Sequence, residues 1–158
     1  MEINKTKPIL QRNPGTDFQL ERFCDIQINR SAVEQRCASY GKRRSIKKDN
    51  QAAWLLKVIS LIDLTTLAGD DTRDRVRRLC RKAINPVNEQ LVRKLELETF
   101  NLSTAAVCVY HEMLSEAATL LKGTGVHLAA VSTGFPAGLS PLPLRIEEIK
   151  YSVEQGAD

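Results

Sequence analysis

Two hydrophobic rhythms alternate along this chain. Trp54, Leu55, Val58 and Ile59 lie one, three and four apart, as on the buried stripe of a short helix beginning near residue 46. Leu61-Ile62-Asp63-Leu64-Thr65-Thr66-Leu67 follows, apolar, β-branched and too short for a helix. It reads as a buried strand with one carboxylate in it. Ala68-Gly69-Asp70-Asp71 is a loop, and Asp71 with Asp74 resembles a capping box with Asp in place of Glu. The next helix places Val76, Leu79, Cys80 and Ala83 on one face. Arg77, Arg78, Arg81 and Lys82 fill its last turns, the favoured sign there, and Asn85-Pro86 stops it.

A short amphipathic piece carries Leu91, Val92 and Leu95. Thr104-Ala105-Ala106-Val107-Cys108-Val109-Tyr110 is a second strand-like run, followed by a helix with Met113, Leu114, Ala117, Leu120 and Leu121 inward and Gly123 just past its end. Val126-His127-Leu128-Ala129-Ala130-Val131 reads as the third strand. The loop Ser132–Gly138 leads to a third helix with Leu142, Ile146, Ile149 and Val153 on one stripe, ended by Gly156. The order is a helix, then strand–helix three times. Apolar strands alternating with helices imply an α/β fold with a helix-covered parallel sheet, either doubly wound or part of an eight-fold barrel.

Composition adds bounds. The 158 residues are 42% apolar, as globular domains are. No apolar stretch is long enough to span a membrane, and Met1-Glu2-Ile3-Asn4-Lys5 does not open a secretory signal. Cys24, Cys37, Cys80 and Cys108 include no CxxC pair, so neither a zinc ribbon nor a thioredoxin-type site is offered. Reduced thiols in the cytoplasm are the simplest expectation, with the nucleus also open to a chain bearing a basic run.

That run is Gly41-Lys42-Arg43-Arg44-Ser45-Ile46-Lys47-Lys48. Residues 1–50 carry 11 basic and 6 acidic side chains, the rest 12 and 13. A solvated leader is favoured over an RNA contact, because only Tyr40 is near enough to stack on a base. Residues 1–30 show no sustained period and contain the turn signal Asn13-Pro14-Gly15. Residues 1–45 are therefore expected to be a basic, weakly ordered extension, and residues 46–158 the folded part.

Three short motifs fail on chemistry. His111-Glu112-Met113-Leu114-Ser115 has Ser115 where HExxH needs its second zinc-binding His. Gly123-Thr124-Gly125 precedes a strand, the reverse of a dinucleotide loop. Ser132 in Ala130-Val131-Ser132-Thr133-Gly134 is not followed directly by a helix, as a nucleophile elbow requires. Asp63 is the more informative residue, since a carboxylate inside an apolar strand costs several kcal/mol unless it is paired. It is expected near a strand's C-terminal end, as are Cys108 and Ser132, where site residues of parallel α/β proteins gather.

Asp63-Leu64-Thr65-Thr66-Leu67 with Asp70-Asp71-Thr72, then Thr104–Tyr110, then Gly134-Phe135-Pro136-Ala137-Gly138, then Glu147-Glu148-Ile149 and Gly156-Ala157-Asp158, resemble the first part of the deoxyribose-phosphate aldolase family. The basic leader and the Trp54 helix resemble its longer animal form. The resemblance implies a partial (β/α)₈ barrel: the first three βα units after an N-terminal helical extension, stopping before the fourth strand. It also implies class I cleavage of 2-deoxy-D-ribose 5-phosphate to glyceraldehyde 3-phosphate and acetaldehyde, through a lysine Schiff base and without metal or cofactor. A neighbouring cation keeps such a lysine neutral enough to attack.

By this resemblance the Schiff-base lysine, its partner lysine and the catalytic aspartate lie beyond Asp158, and the only Lys-Thr here is Lys5-Thr6-Lys7. The 158 residues alone are then expected to be inactive. Asp63 corresponds to the first-strand aspartate in the polar network around the lysines. Thr65, Leu67 and Phe135 correspond to pocket-lining positions, and Cys108 to the second-strand cysteine near the substrate. His111 stands where the family usually has Pro. The implied partners are a phosphosugar substrate and further copies of the chain, with no membrane and with nucleic acid disfavoured. The competing reading is a non-catalytic protein that uses the basic segment to bind RNA or acidic partners.

Overall fold

The structure, a computed structural model, describes residues 16–43 and 45–158. Asn13-Pro14-Gly15, Lys5-Thr6-Lys7 and Arg44 lie outside the described residues. By its contacts the chain divides into two units, Arg12–Ala52 and a larger one that includes Ala53–Asp158.

The smaller unit carries helix α1, Arg30–Tyr40, within the segment expected to be weakly ordered. Asn29 caps it, its side chain accepting from Ala32 N–H at 3.0 Å. Val33 and Tyr40 are exposed, and the Arg43 guanidinium lies 4.5 Å from the centre of the Tyr40 ring. The one ring near the basic run is thus already covered on a face. Helix α2, Lys48–Ile59, runs across the unit boundary.

The larger unit is built on a three-stranded parallel sheet in the order β1-β2-β3. The strands are β1, Asp63–Thr65, β2, Ala106–Val109, and β3, His127–Ala130. Asp63 pairs with Ala106 and Thr65 with Cys108, while Ala106 pairs with His127 and Cys108 with Ala129. Helix α3, Arg73–Ile84, follows β1, α4, Glu89–Lys94, is a short link, α5, Leu114–Leu121, follows β2, and α6, Leu142–Glu154, follows β3.

Strand residues alternate between faces, so neighbours in register share one. One face carries Leu64, Val107, Val109, Leu128 and Ala130. It packs against Val76, Cys80 and Ala83 of α3 and Leu114, Ala117 and Leu121 of α5, with Val126 and Ala157 closing the core. The other face carries Asp63, Thr65, Ala106, Cys108, His127 and Ala129. The expected burial holds for Val107, Cys108 and Val109 of β2 but is corrected for β1, where Asp63 and Thr65 are exposed.

Local chemistry explains the joints. Thr72, not Asp71, caps α3, its hydroxyl accepting from Arg75 N–H at 3.3 Å. Asp71 turns back instead. Its carboxylate accepts from the Thr66 hydroxyl at 2.9 Å, Ala68 N–H at 3.0 Å and Arg75 at 3.1 Å. The expected capping box gives way to a brace between the end of β1 and the start of α3. Thr104, buried before β2, donates its N–H to the Ala83 carbonyl at 2.9 Å and so ties the end of α3 to the next strand.

Two predicted stripes do not face the core. Trp54 is 59% exposed, with Leu55 and Val58 also exposed. Leu56 turns in with Ala53 to line a cavity of about 420 Å³ with Leu97, Phe100 and Leu102. On α6, Leu142 is 60% exposed, and Ile146, Ile149 and Val153 are exposed too, while Ser152 is buried. Periodicity finds the apolar face of a helix. Which face meets a neighbour depends on what lies beside it, and for α6 that is His111 on the turn before α5.

Leu114 is fully buried, so Leu114→Ala is expected to cost about 2–5 kcal/mol, read from urea unfolding. Asp71, 5% exposed, feels burial pushing its carboxyl up, but the Thr66 and Arg75 hydrogen bonds outweigh this and hold it below the usual carboxylate range. Its ionised form therefore contributes stability above the ordinary carboxylate range, lost as pH falls through the lowered value. Asp71→Ala is expected to cost about 1–3 kcal/mol near neutral pH and to flatten the acid limb of the stability–pH curve.

Candidate active site

Thr65 and Cys108 are paired across β1 and β2 on the face away from the helices, and Asp63 lies two residues before Thr65 on that same face. Burial pushes the Cys108 thiol up, the Asp63 carboxylate adds to this, and the Thr65 hydroxyl pulls the other way. The net direction is upward, so Cys108 is held as a thiol. Asp63, Thr65 and Cys108 thus form one electrostatic group. Asp63 opens β1 rather than closing it, so the expected C-terminal position is corrected. Being exposed, it escapes the desolvation cost expected for a buried carboxylate.

Leu67 is partly buried two residues past β1. Phe135 is exposed in the loop after β3, and its ring meets Tyr110, at the end of β2, with centroids 6.5 Å apart. Ser132 follows β3 closely, its hydroxyl buried. Tyr110 was not singled out by its sequence position, although an aromatic directly after an apolar strand is a strand-end signal.

A second group joins the loops after β2 and β3. His111 Nδ1 lies 2.7 Å from Ser152 Oγ, and its Nε2 lies 2.6 Å from Glu148 Oε1. Glu148 Oε2 accepts from Gly134 N–H at 2.8 Å. Gly134 has φ +75°, and a Cβ there would come within 2.9 Å of Ser140 Oγ, so glycine suits this turn. His111 begins a helical turn, His111–Met113, and its partners on α6 have no trace in local sequence. The one available signal is the i, i+4 placement of Glu148 and Ser152 on one side of α6.

No lysine lies on a strand among the described residues. Lys57 is on α2, Lys122 follows α5, and Lys150 is on α6, paired with Glu147 at 2.7 Å.

A parallel sheet with helices packed on one face is an α/β arrangement. No family model matches the chain. It is 46% identical to mouse deoxyribose-phosphate aldolase over 145 residues, 90% of this chain and 46% of that protein. It is 46% identical to the human protein of that name over 147 residues, 92% of this chain and 46% of that one. Among solved structures it resembles the tetrameric deoxyribose phosphate aldolase from Aeropyrum pernix, with TM-score 0.50 and 24% identity over 65% of this chain and 36% of that one. A structure from Coccidioides immitis gives TM-score 0.52 at 19% identity, over 82% and 46%. These two show the fold. Over nine-tenths of its length the chain is similar in sequence to these deoxyribose-phosphate aldolases. It spans about half the length of the curated relatives it matches.

Burial pushes Cys80 up to about 11, and Cys108 is raised as well, whereas Cys24 and Cys37 are exposed. Iodoacetamide at neutral pH is therefore expected to label Cys24 and Cys37 first and Cys108 and Cys80 last, as read by peptide mass spectrometry.

Proposed function

We propose that these residues form the first three βα units of a (β/α)₈ deoxyribose-phosphate aldolase barrel, with residues 1–45 as an N-terminal extension. On this reading the face bearing Asp63, Thr65 and Cys108 turns toward the barrel interior and contributes to a pocket for a phosphosugar. The observation that carries it is the one-sided sheet: α3 and α5 cover one face, and the polar group occupies the other. A barrel puts its helices outside and fills its interior from the opposite side chains. The outer edge of β3 adds support. Asp158 N–H donates to the Leu128 carbonyl at 2.8 Å, and the Asp158 carboxylate accepts from Leu128 N–H at 2.9 Å, along the edge where a fourth strand would lie.

The chemistry assigned to these residues is supporting chemistry. The Asp63 charge favours the protonated form of a nearby amine and orients it, the Thr65 hydroxyl offers a hydrogen bond, and a protonated Cys108 is a poor competitor for aldehydes. The imine-forming lysine is placed outside these 158 residues, and cleavage of 2-deoxyribose 5-phosphate belongs to the completed barrel. Self-association is proposed with it, in keeping with the tetramer described for the Aeropyrum pernix protein. Cytoplasmic residence is proposed from the reduced-thiol reading of the cysteines.

The test is a chimaera that joins this chain to the part of the human relative it does not span. The folded chimaera is expected to release acetaldehyde from 2-deoxyribose 5-phosphate. Borohydride should trap an adduct on a lysine outside the 158 residues, and none on the chain alone. Asp63→Asn is expected to lower turnover by about tenfold, equivalent to roughly 1.4 kcal/mol, while leaving the circular dichroism spectrum unchanged. A folded chimaera without cleavage, or an adduct on any lysine of the chain alone, overturns the reading.

A further inference from the structure

Lys42-Arg43-Arg44-Ser45-Ile46 places a hydroxyl directly after three basic residues and before an apolar one. No other serine or threonine of the chain follows three basic residues in a row. Five basic side chains, Lys42, Arg43, Arg44, Lys47 and Lys48, lie within three positions of Ser45, with no acidic residue among them. Like charges this dense repel one another and stay in water. The structure agrees. Ser45, Ile46 and Lys47 belong to no helix, strand or turn, and every described residue from Gly41 to Lys47 is exposed.

The neighbouring serines are poorer candidates for chemistry. Ser39 has Arg36 three residues before it, but it lies within α1, and its hydroxyl donates to the Arg36 carbonyl at 2.6 Å while accepting from Arg43 Nη2 at 3.0 Å. Ser31 follows a single basic residue, Arg30, in the first turn of α1. Ser45 is outside both helices, and among the described residues its hydroxyl has no hydrogen-bond partner. Arg43 rests against the Tyr40 ring and the Ser39 hydroxyl, but both contacts are at the surface, where a charged side chain is released at little cost.

We propose that Ser45 is a phosphorylation site for a protein kinase whose peptide cleft is lined by carboxylates. Such a cleft takes an extended segment, pairs its carboxylates with the cations ahead of the hydroxyl and seats the following side chain in an apolar pocket. Residues 42–46 supply each part: Lys42 and Arg43 stand three and two positions before Ser45, and Ile46, 46% exposed, follows it. The Ser45 oxygen attacks the γ-phosphorus of ATP, the bond from that phosphorus to the bridging oxygen breaks, ADP leaves, and the hydroxyl proton passes to the kinase's aspartate. The phosphoserine carries a charge of about −1.5 to −2 at neutral pH, so the five positive charges around it are cut to a net of roughly +3. The site does not rest on the aldolase reading, since it lies in the smaller unit and involves no residue of the sheet.

The test treats the folded 158-residue chain with ATP, magnesium and the catalytic subunit of cyclic-AMP-dependent protein kinase, which selects cations two and three residues ahead of its serine. The intact mass is expected to rise by one phosphate, and peptide fragmentation to place it on Ser45. Ser45→Ala is expected to remove it, and Arg43→Gln to lower the rate at least about tenfold, both with an unchanged circular dichroism spectrum. A synthetic peptide of residues 38–50 is the reference for a fully accessible site. The folded chain is expected to react within about tenfold of its rate, because no local unfolding has to come first. Phosphate on Ser39 or elsewhere in place of Ser45 overturns the proposal. So does a peptide that reacts while the folded chain does not, or a chain and a peptide that both stay unmodified.

Discussion

The one-sided burial of the three-stranded sheet is the constraint on which the remaining features depend. Val107, Val109 and Leu128 can leave water only on one face, because successive strand residues point to opposite sides. Helices α3 and α5 cover that face with Val76, Cys80, Ala83, Leu114, Ala117 and Leu121. The parallel register then aligns the opposite face residue by residue, placing Thr65 beside Cys108 and Asp63 beside Ala106. A polar group is tolerable there because it does not share the dry layer. Apolar burial on one side and available chemistry on the other are a single consequence of the pleat.

The loops at the strand ends are governed by hydrogen bonds rather than by apolar packing. Asp71 braces the turn from β1 into α3 through Thr66, Ala68 and Arg75. Glu148 does the same for the turn after β3, reaching His111 on one side and Gly134 on the other. Each carboxylate satisfies backbone N–H groups that would otherwise be left without an acceptor, and each is kept ionised by its donors despite partial burial. The two differ in their partners: Arg75 reaches Asp71 from the helix that follows the turn, whereas His111 reaches Glu148 from the turn before α5.

The exposed apolar residues of α2 and α6 fit a chain that spans about half the length of its relatives. In α6, Leu142, Ile146, Ile149 and Val153 recur at helical spacing yet face away from the core, while the face toward His111 carries Ser152. In α2, Trp54, Leu55 and Val58 do likewise. A contiguous apolar stripe at constant spacing is the mark of a face suited to packing.

Much of the architecture was legible in the residues themselves. The three strands, the helices after them, the stops at Asn85-Pro86 and Gly123, and the parallel arrangement follow from periodicity and turn chemistry, which act over a few residues. The similarity of Asp63–Leu67, Thr104–Tyr110 and Gly134–Gly138 to deoxyribose-phosphate aldolases is likewise a property of the linear chain. Periodicity finds the stripes of Trp54 and of Leu142, Ile146 and Ile149 but cannot say which stripe meets a neighbour, and these residues are exposed. Nor could it place Asp63 at the start of β1 rather than its end, since strand bounds depend on which carbonyls find partners on β2. The bond between His111 and Glu148 spans 37 residues. Only the packing of α6 beside the turn after β2 brings these side chains within hydrogen-bonding distance.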